Sequence, residues 1–272
     1  MKPQKFDYVR AENAAEAADI LSQAGSEARI MAGGQSLMAV LNMRLAQPAV
    51  LVDISRAEDL KYVRIENGYM AVGAATTQGE VEWREDLIRQ VPLLCQVFPF
   101  ISHFQIRNKG TVCGSVAHAD PSAELPLALS LLGGEVVLRC RKRRRILPAS
   151  EFFQGMLMTA RAPEEIIQEV RFPIAAPGQR FAFTEFAARH GDFAIASVGA
   201  MRDKEKIRLA VGGVSDKPVI RQWDVLPQAE WDTMLNDLAW TLQAQDDHHA
   251  SAQFRRHLVR RLGRQVLERI VE

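Results

Sequence analysis

The chain is poor in cysteine, with three in 272 residues: Cys95, Cys113 and Cys140. They are odd in number, far apart and without C-x-x-C spacing. Alone they assemble neither a zinc site nor an iron–sulfur cluster, and they read as buried or inert thiols. Long apolar runs are missing too. None reaches the ~18–20 residues needed to span a bilayer, so no membrane insertion is expected. Residues 1–20 carry Glu12, Glu16 and Asp19 and lack the apolar stretch of a signal peptide, which points to a cytoplasmic protein. Charge of one sign is not in excess: the formal net charge is +1 and the pI about 7.8. That balance gives no reason to expect nucleic acid or an anionic membrane as partner. No internal repeat and no low-complexity tract is present.

What is present is an ordinary globular composition, 47% hydrophobic and 25% charged, in a length that usually holds two or three modest domains. The N-terminal third alternates helix and strand signals. Asn13 with Glu16 predicts a capped helix over 14–24 with Gly25 past its end. A strand over 28–32 runs into Gly33-Gly34, a helix is expected from Ser36 to Leu45, and a strand over 50–54 follows. Strand, glycine turn, helix and strand form a compact α/β unit. The middle region opens with a strand over 69–74. Thr77 and Glu80 make a second capping-box pattern, and 87–97 reads as helix. Ser122 is placed to cap a helix through Leu132 that ends at Gly133. Strands over 135–140 and 144–148 flank a run in which six of the seven residues Arg139–Arg145 are basic. A solvated hairpin explains that run, with a partner-docking surface as the alternative.

Pro173, Pro177 and Gly178 put a domain boundary near 172–180. Beyond it lie four strand candidates, 181–188, 193–202, 206–213 and 218–224. The helical end carries Phe254, Leu258, Leu262, Val266 and Ile270 every four residues, the stripe of a core-facing helix.

Two segments carry chemistry. In the first, Met31-Ala32-Gly33-Gly34-Gln35-Ser36-Leu37, two glycines after a strand let successive backbone N–H groups converge with no Cβ in the way. Ser36 adds a hydroxyl, and such a nest suits a diphosphate. The second runs from Ile106 to Glu124. Gly110 and Gly114 give backbone freedom, and Thr111 and Ser115 offer hydroxyls at matching spacing. In isolation the first is a weak signal, since many tight turns look like it, and the second also reads as a glycine-rich turn followed by a capped helix. Together they fit a ligand with a diphosphate and several ring heteroatoms.

The order of motifs is more specific than either loop. A-G-G-Q-S-L (32–37), R-L-A-x-P and L-V-D-I (44–54), I-R-N-K-G-T-V-C-G-S (106–115), A-H-A-D-P-S-A-E-L-P (117–126), F-A-A-R-H-G-D-F-A (186–194) and V-G-G-V-x-D-K-P-V (211–219) follow one another over nearly the whole chain. This series resembles the FAD-binding medium subunits of molybdenum hydroxylases, the group that includes carbon monoxide dehydrogenase and the flavin domain of xanthine dehydrogenase. The resemblance implies a mixed α/β (α+β) fold. Two subdomains of the vanillyl-alcohol-oxidase/PCMH type, 1–56 and 57–172, would clasp FAD, and 178–272 would form an α+β domain with an antiparallel sheet. It implies that Met31 to Leu37 (Met31, Ala32, Gly33, Gly34, Gln35, Ser36 and Leu37) wrap the diphosphate, and that Thr111, Gly114 and Ser115 hold diphosphate and ribityl. His118, Asp120 and Glu124 would contact the flavin nucleotide. Ile101, Ile106 and Ile167 would line the flavin, with Phe193 approaching the isoalloxazine from the third domain.

The implied function is an oxidoreductase subunit with no catalytic residue of its own and no metal ligands. It would take electrons from a [2Fe–2S] small subunit, work beside a molybdopterin-binding large subunit in a dimer of heterotrimers, and pass electrons to NAD, a quinone, oxygen or another carrier. Two further readings stay open: a free-standing flavin reductase or oxidase, and a scaffold subunit that has lost FAD. Two departures bear on them. Cys113 stands where the family usually has glycine, which would loosen FAD if that position needs positive φ. Glu185 stands where some members have a lysine near the flavin.

Overall fold

The computed structural model describes residues 2–271. Its first sheet contains β1 (Asp7–Arg10), followed by α1 (Ala14–Ala24), β2 (Ala28–Met31), α2 (Leu37–Asn42) and β3 (Val50–Asp53). The strands run parallel in the order β1-β3-β2. The Asn13 side chain accepts the Glu16 N–H at 2.9 Å, and the Glu16 carboxylate accepts the Glu12 N–H at 2.7 Å. These bonds satisfy donors that a helix start would otherwise leave open. Ala14, Ala17, Ala18 and Leu21 form the buried face of α1. α2 is shorter than the span 36–45 expected from the sequence. It stops at Asn42, and Arg44 adopts φ +59°, a left-handed conformation that a helix cannot continue through.

A second sheet is antiparallel. Its strands begin with β4 (Val63–Glu66) and β5 (Tyr69–Gly73). A helical stretch follows: α3 (Gln78–Glu82), α4 (Leu87–Gln90), α5 (Pro92–Val97), α6 (Phe104–Arg107), α7 (Val112–His118) and α8 (Glu124–Leu132). Then come β6 (Glu135–Arg139), β7 (Arg144–Pro148), α9 (Ala149–Phe152), the small hairpin β8 (Phe153–Gly155) and β9 (Met158–Thr159), and finally β10 (Ile166–Pro173). The sheet order is β4-β5-β10-β6-β7. Thr77 and Glu80 form the expected capping box on α3. The helix expected over 87–97 is instead two, α4 and α5. Pro92 offers no N–H and pushes Val91 out of the helical region, to φ −138°. Nor does Ser122 cap α8. The cap position is Ala123, and the Ser122 N–H donates to Asp120 Oδ1 at 2.8 Å. Gly133 ends the helix in the left-handed conformation, as its position suggested. At the hairpin tip between β6 and β7, Arg141, Lys142 and Arg143 are exposed, as a solvated hairpin requires; at the start of β7, Arg145 pairs with buried Glu165 at 2.7 Å and Arg144 with buried Glu169 at 3.0 Å.

The third sheet is antiparallel in the order β11 (Arg180–Phe186), β12 (Ala196–Asp203), β13 (Lys206–Gly212), β14 (Val219–Asp224), and is followed by α10 (Trp231–Thr241) and α11 (Ala252–Val271). Its two faces bury against different partners. Ala182, Val198, Leu209 and Val211 join Leu235, Leu238, Leu258, Leu262, Val266 and Ile270 in one core. Phe183, Met201 and Ala210 point the other way, into the core that contains α8 and the first two sheets. α8, packed on β12 and β13, and α5, whose Gln96 side chain donates to the Phe181 carbonyl at 2.9 Å and accepts the Phe183 N–H at 3.1 Å, are the helices through which the third sheet meets the rest of the molecule. The stripe read on α11 is buried at Leu258, Leu262, Val266 and Ile270. Phe254 is the exception, 39% exposed, with its ring edge on Phe186. Among the described residues no helix is long and apolar enough to cross a membrane.

Candidate functional site

A cleft of about 540 Å³ opens where the β2–α2 turn, the segment 101–124, the start of β10 and the 191–193 turn converge. Its tightest point is a contact between backbones. A Cβ on Gly33 would lie 2.0 Å from the Lys109 carbonyl oxygen and 2.7 Å from Gly110 Cα, so only glycine lets these loops meet. Gly34 has φ +71°, which turns the chain from strand to helix. Among the described residues, the N–H groups of Gly33, Gly34, Gln35 and Ser36 donate to no protein acceptor. Gly33 and Gly34 are half-buried and Gln35 and Ser36 exposed, and four consecutive unused donors in a glycine turn that leads into a helix form an anion-binding nest at the cleft wall. The Gln35 side chain bonds back to Gly33 O at 2.8 Å and braces the turn. Thr111 Oγ1 caps α7 by accepting the Gly114 N–H at 2.9 Å, which leaves its own hydroxyl hydrogen free to donate.

The residues singled out from the sequence gather here with one exception. Ala32 through Leu37, Thr111, Gly114, Ser115, His118, Asp120 and Glu124 line the polar length of the cleft. Ile101, Ile106 and Ile167 form an apolar shelf, and Phe193, 67% exposed, stands at its mouth. Gly191 beside it has φ +84°, and its α-carbon side packs against the Ser102 backbone. Met31 is not brought to the lining. It ends β2, and its carbonyl accepts the Ile54 N–H at 3.0 Å in the continuation of the ladder.

Several lining residues were missed: Arg29, Gln78, Leu157, Arg161, Glu165 and Ile166. Arg161 is the most consequential. Its Nη1 is held by the carbonyls of Ala162, Pro163 and Glu165, the last at 2.6 Å. Burial, with the charge of Arg29 adding, disfavours its charged form. It sits in a loop with no motif around it, so the sequence offered no signal.

Cys113 lies inside α7 with helical backbone, is buried at the cleft lining, and donates its thiol to the Val72 carbonyl at 3.3 Å. No positive φ is required there, so the strain expected for a non-glycine residue is absent. Burial pushes its thiol pKa up, which keeps it a neutral, packing side chain. Glu124 begins α8, and burial, reinforced by Asp120, raises its pKa to about 7. Glu185, on β11, is raised to about 8 by burial and by the charge of Glu124.

Residues 4–175 match the family described as the FAD binding domain in molybdopterin dehydrogenase. The chain belongs to that family. Similarity extends beyond the matched domain. The β subunit of caffeine dehydrogenase from Pseudomonas sp. (strain CBB1) is 34% identical over 82% of this chain and 79% of its own length. The medium chain of glyceraldehyde dehydrogenase from Sulfolobus acidocaldarius is 31% identical over 99% of this chain and 100% of its own. Among solved structures, carbon monoxide dehydrogenase from Hydrogenophaga pseudoflava contains a chain that superposes with a TM-score of 0.94 at 26% identity, covering 100% of this chain and 99% of that one. The protein is thus an FAD-binding medium subunit of the molybdenum hydroxylase family, an oxidoreductase component with the PCMH-type flavin fold, and FAD is its cofactor. The cleft fits that cofactor on its own evidence. The nest at 33–36 suits a diphosphate, and the isoleucine shelf suits a flat apolar ring system.

Proposed function

We propose that this chain is the electron relay of a multi-subunit molybdenum hydroxylase. In this reading, residues 1–56 and 57–172 are the two subdomains that clasp FAD, and 178–272 are the third domain, which brings Phe193 to the flavin. The observation that carries it is the pairing of the Gly33–Ser36 nest with the Ile101–Ile106–Ile167 shelf in one cleft open at Phe193. A diphosphate held at one end and an accessible ring edge at the other are what a cofactor needs if electrons are to enter and leave at its rim.

Bound FAD supplies the conversion between one-electron and two-electron transfer. The protein's residues bind and orient it. The N–H groups of residues 33–36 hold the diphosphate, Thr111 and Ser115 add hydroxyl donors, and the isoleucines exclude water from the ring face. His118, Asp120 and Glu124 contact the nucleotide along the polar wall. The names of the relatives, a β subunit and medium chains of dehydrogenases, support work inside an assembly. The partners are a [2Fe–2S] small subunit and a molybdopterin-binding large subunit, arranged as a dimer of heterotrimers. Electrons then leave to NAD, a quinone, oxygen or another carrier. The setting is the cytoplasm.

The test is reconstitution. The partner subunits without this chain should still be reduced by the complex's substrate but should not reduce the physiological acceptor. Adding the FAD-loaded chain should restore acceptor reduction, and adding the FAD-stripped chain should not. Equal restoration by the stripped chain would favour a scaffold. Turnover of NADH by the isolated chain would favour a free-standing reductase.

A further inference from the structure

Gln78 is the first residue of α3, and backbone contacts fix its place against the second loop of the cleft. Its N–H donates to the Gly110 carbonyl at 2.8 Å, and the Val112 N–H reaches the Thr76 carbonyl at 3.4 Å. Between them Thr77 pairs with Thr111 in an isolated antiparallel bridge. The Gln78 side chain is only 5% exposed, yet it lines the cleft. It ends beside Gly110, where a Cβ would lie 3.4 Å from Gln78 Nε2 and 3.6 Å from Gln35 Cγ. The carboxamide of Gln78, in the second subdomain, is thereby brought next to Gln35 of the nest, in the first.

No protein group uses that carboxamide. Among the described residues neither of its polar atoms has a hydrogen-bond partner; Oε1 is enclosed, while Nε2 stays open to the cleft. Leaving a buried amide unpaired is costly, and a glutamine kept only for packing has no reason to hold both ends free. The atom offered to the cleft is a donor, and so are its neighbours. The N–H groups of residues 33–36 are unused, and Thr111 has a hydroxyl hydrogen left over because its oxygen accepts the Gly114 N–H. Donors from both subdomains thus converge, which is what an anion requires. The two arginines of the cleft lie elsewhere. Arg29 stands four residues before Gly33, roughly 13 Å along an extended chain. Arg161, which feels the charge of Arg29, has Nη1 tied to the carbonyls of Ala162, Pro163 and Glu165.

We infer that Gln78 is a further binding residue for the cofactor, its Nε2 donating to a diphosphate oxygen of FAD, which rests on the 33–36 nest holding that diphosphate. Both subdomains then hold the same group, the first through backbone N–H groups and the second through a side-chain amide. The bond also gives the Gln78 carboxamide the partner that the protein alone does not provide.

Calorimetric titration of the cofactor-free chain with FAD, and with ADP, which carries the diphosphate but no flavin, tests this. Q78M keeps the length of the side chain and removes the amide. It should bind both ligands more weakly by about ten- to a hundredfold, the loss of one hydrogen bond to a charged group. Its thermal midpoint without ligand should not fall below that of wild type, because the amide has no protein partner to lose. Q78E, which turns an acceptor towards the anion, should bind both ligands more weakly still at pH 8. If Q78M does not fold, Q78N, whose amide stops one methylene short, carries the same expectation for both ligands. Unchanged affinities in Q78M, or weaker FAD binding with ADP unaffected, would overturn the assignment. So would a ligand-free midpoint that falls in step with the affinity. A wild-type chain that binds ADP but no FAD would count against the flavin reading, while the ADP comparison would still decide Gln78.

Discussion

At Gly33 the functional feature is a missing side chain. Alanine there would drive a Cβ to 2.0 Å from a backbone carbonyl that cannot swing aside, so the two loops must part. G33A is expected to lose at least tenfold in FAD affinity, with about 1–3 kcal/mol of stability, as overpacking of this kind typically costs. Titration of flavin fluorescence and urea unfolding read the two effects separately. Cys113 makes the opposite case. C113G is expected to cost about 1–2 kcal/mol through helix propensity and a lost thiol contact. It should leave FAD affinity unchanged, and tighter FAD binding by the glycine variant would show that the thiol does perturb the site. Glu185 sets a pH dependence. Its folded-state pKa, about 8, lies above its unfolded value, so its contribution to stability is fully present below about pH 4.3 and is lost as pH rises through 8. E185Q should therefore gain on wild type as pH rises, by on the order of 1–3 kcal/mol between pH 5 and pH 9. Denaturant midpoints at the two pH values check this, and a difference independent of pH would contradict it.

The elements around the cleft are short and depend on tertiary contacts. α6 has four residues, too few to persist alone. It is held by Arg107, whose Nε and Nη2 bond both oxygens of Glu82 at 2.7 and 2.9 Å and whose Nη1 reaches the Ile101 carbonyl at 2.9 Å. R107M would leave Glu82 largely buried and unpaired. A loss of about 3–5 kcal/mol is expected from calorimetry or denaturant unfolding, with weaker FAD binding because Ile101 and Ile106 flank the bond. Legibility from sequence follows the same division. Where a local rule acts alone, as at the Asn13 and Thr77 caps or the Gly133 stop, the element was readable. Where distant residues decide, it was not. β10 sits in the middle of its sheet, but Glu169 and Arg171 interrupt its apolar pattern. Only in the fold does Glu169 find Tyr62, Arg144 and Arg171. Pro92 was a local signal in plain view, and its effect on Val91 divides what the apolar pattern joins. The site was legible as two loops and an order of motifs. Arg161 and the face shared by Glu185 and Ser197 depend on register between segments far apart in the chain.

At the scale of the whole molecule, the cleft lies where three sheets come together, and α8 is a shared element. It packs its Leu127 and Leu131 on the glycines of β12 and β13 while its first residue, Glu124, lines the cleft. Ligand binding should therefore stabilise the chain as a unit. Free FAD at 100 times its dissociation constant is expected to add about 2.7 kcal/mol, seen as a single thermal transition moving upward; two transitions, only one responding to FAD, would show that the third domain is not coupled to the site. The most direct test of the central claim is the visible absorption spectrum of the purified chain, repeated on the supernatant after denaturation. The two flavin bands, released into solution on unfolding, are the predicted result and establish noncovalent FAD. A colourless chain that also fails to take up added FAD would contradict the account.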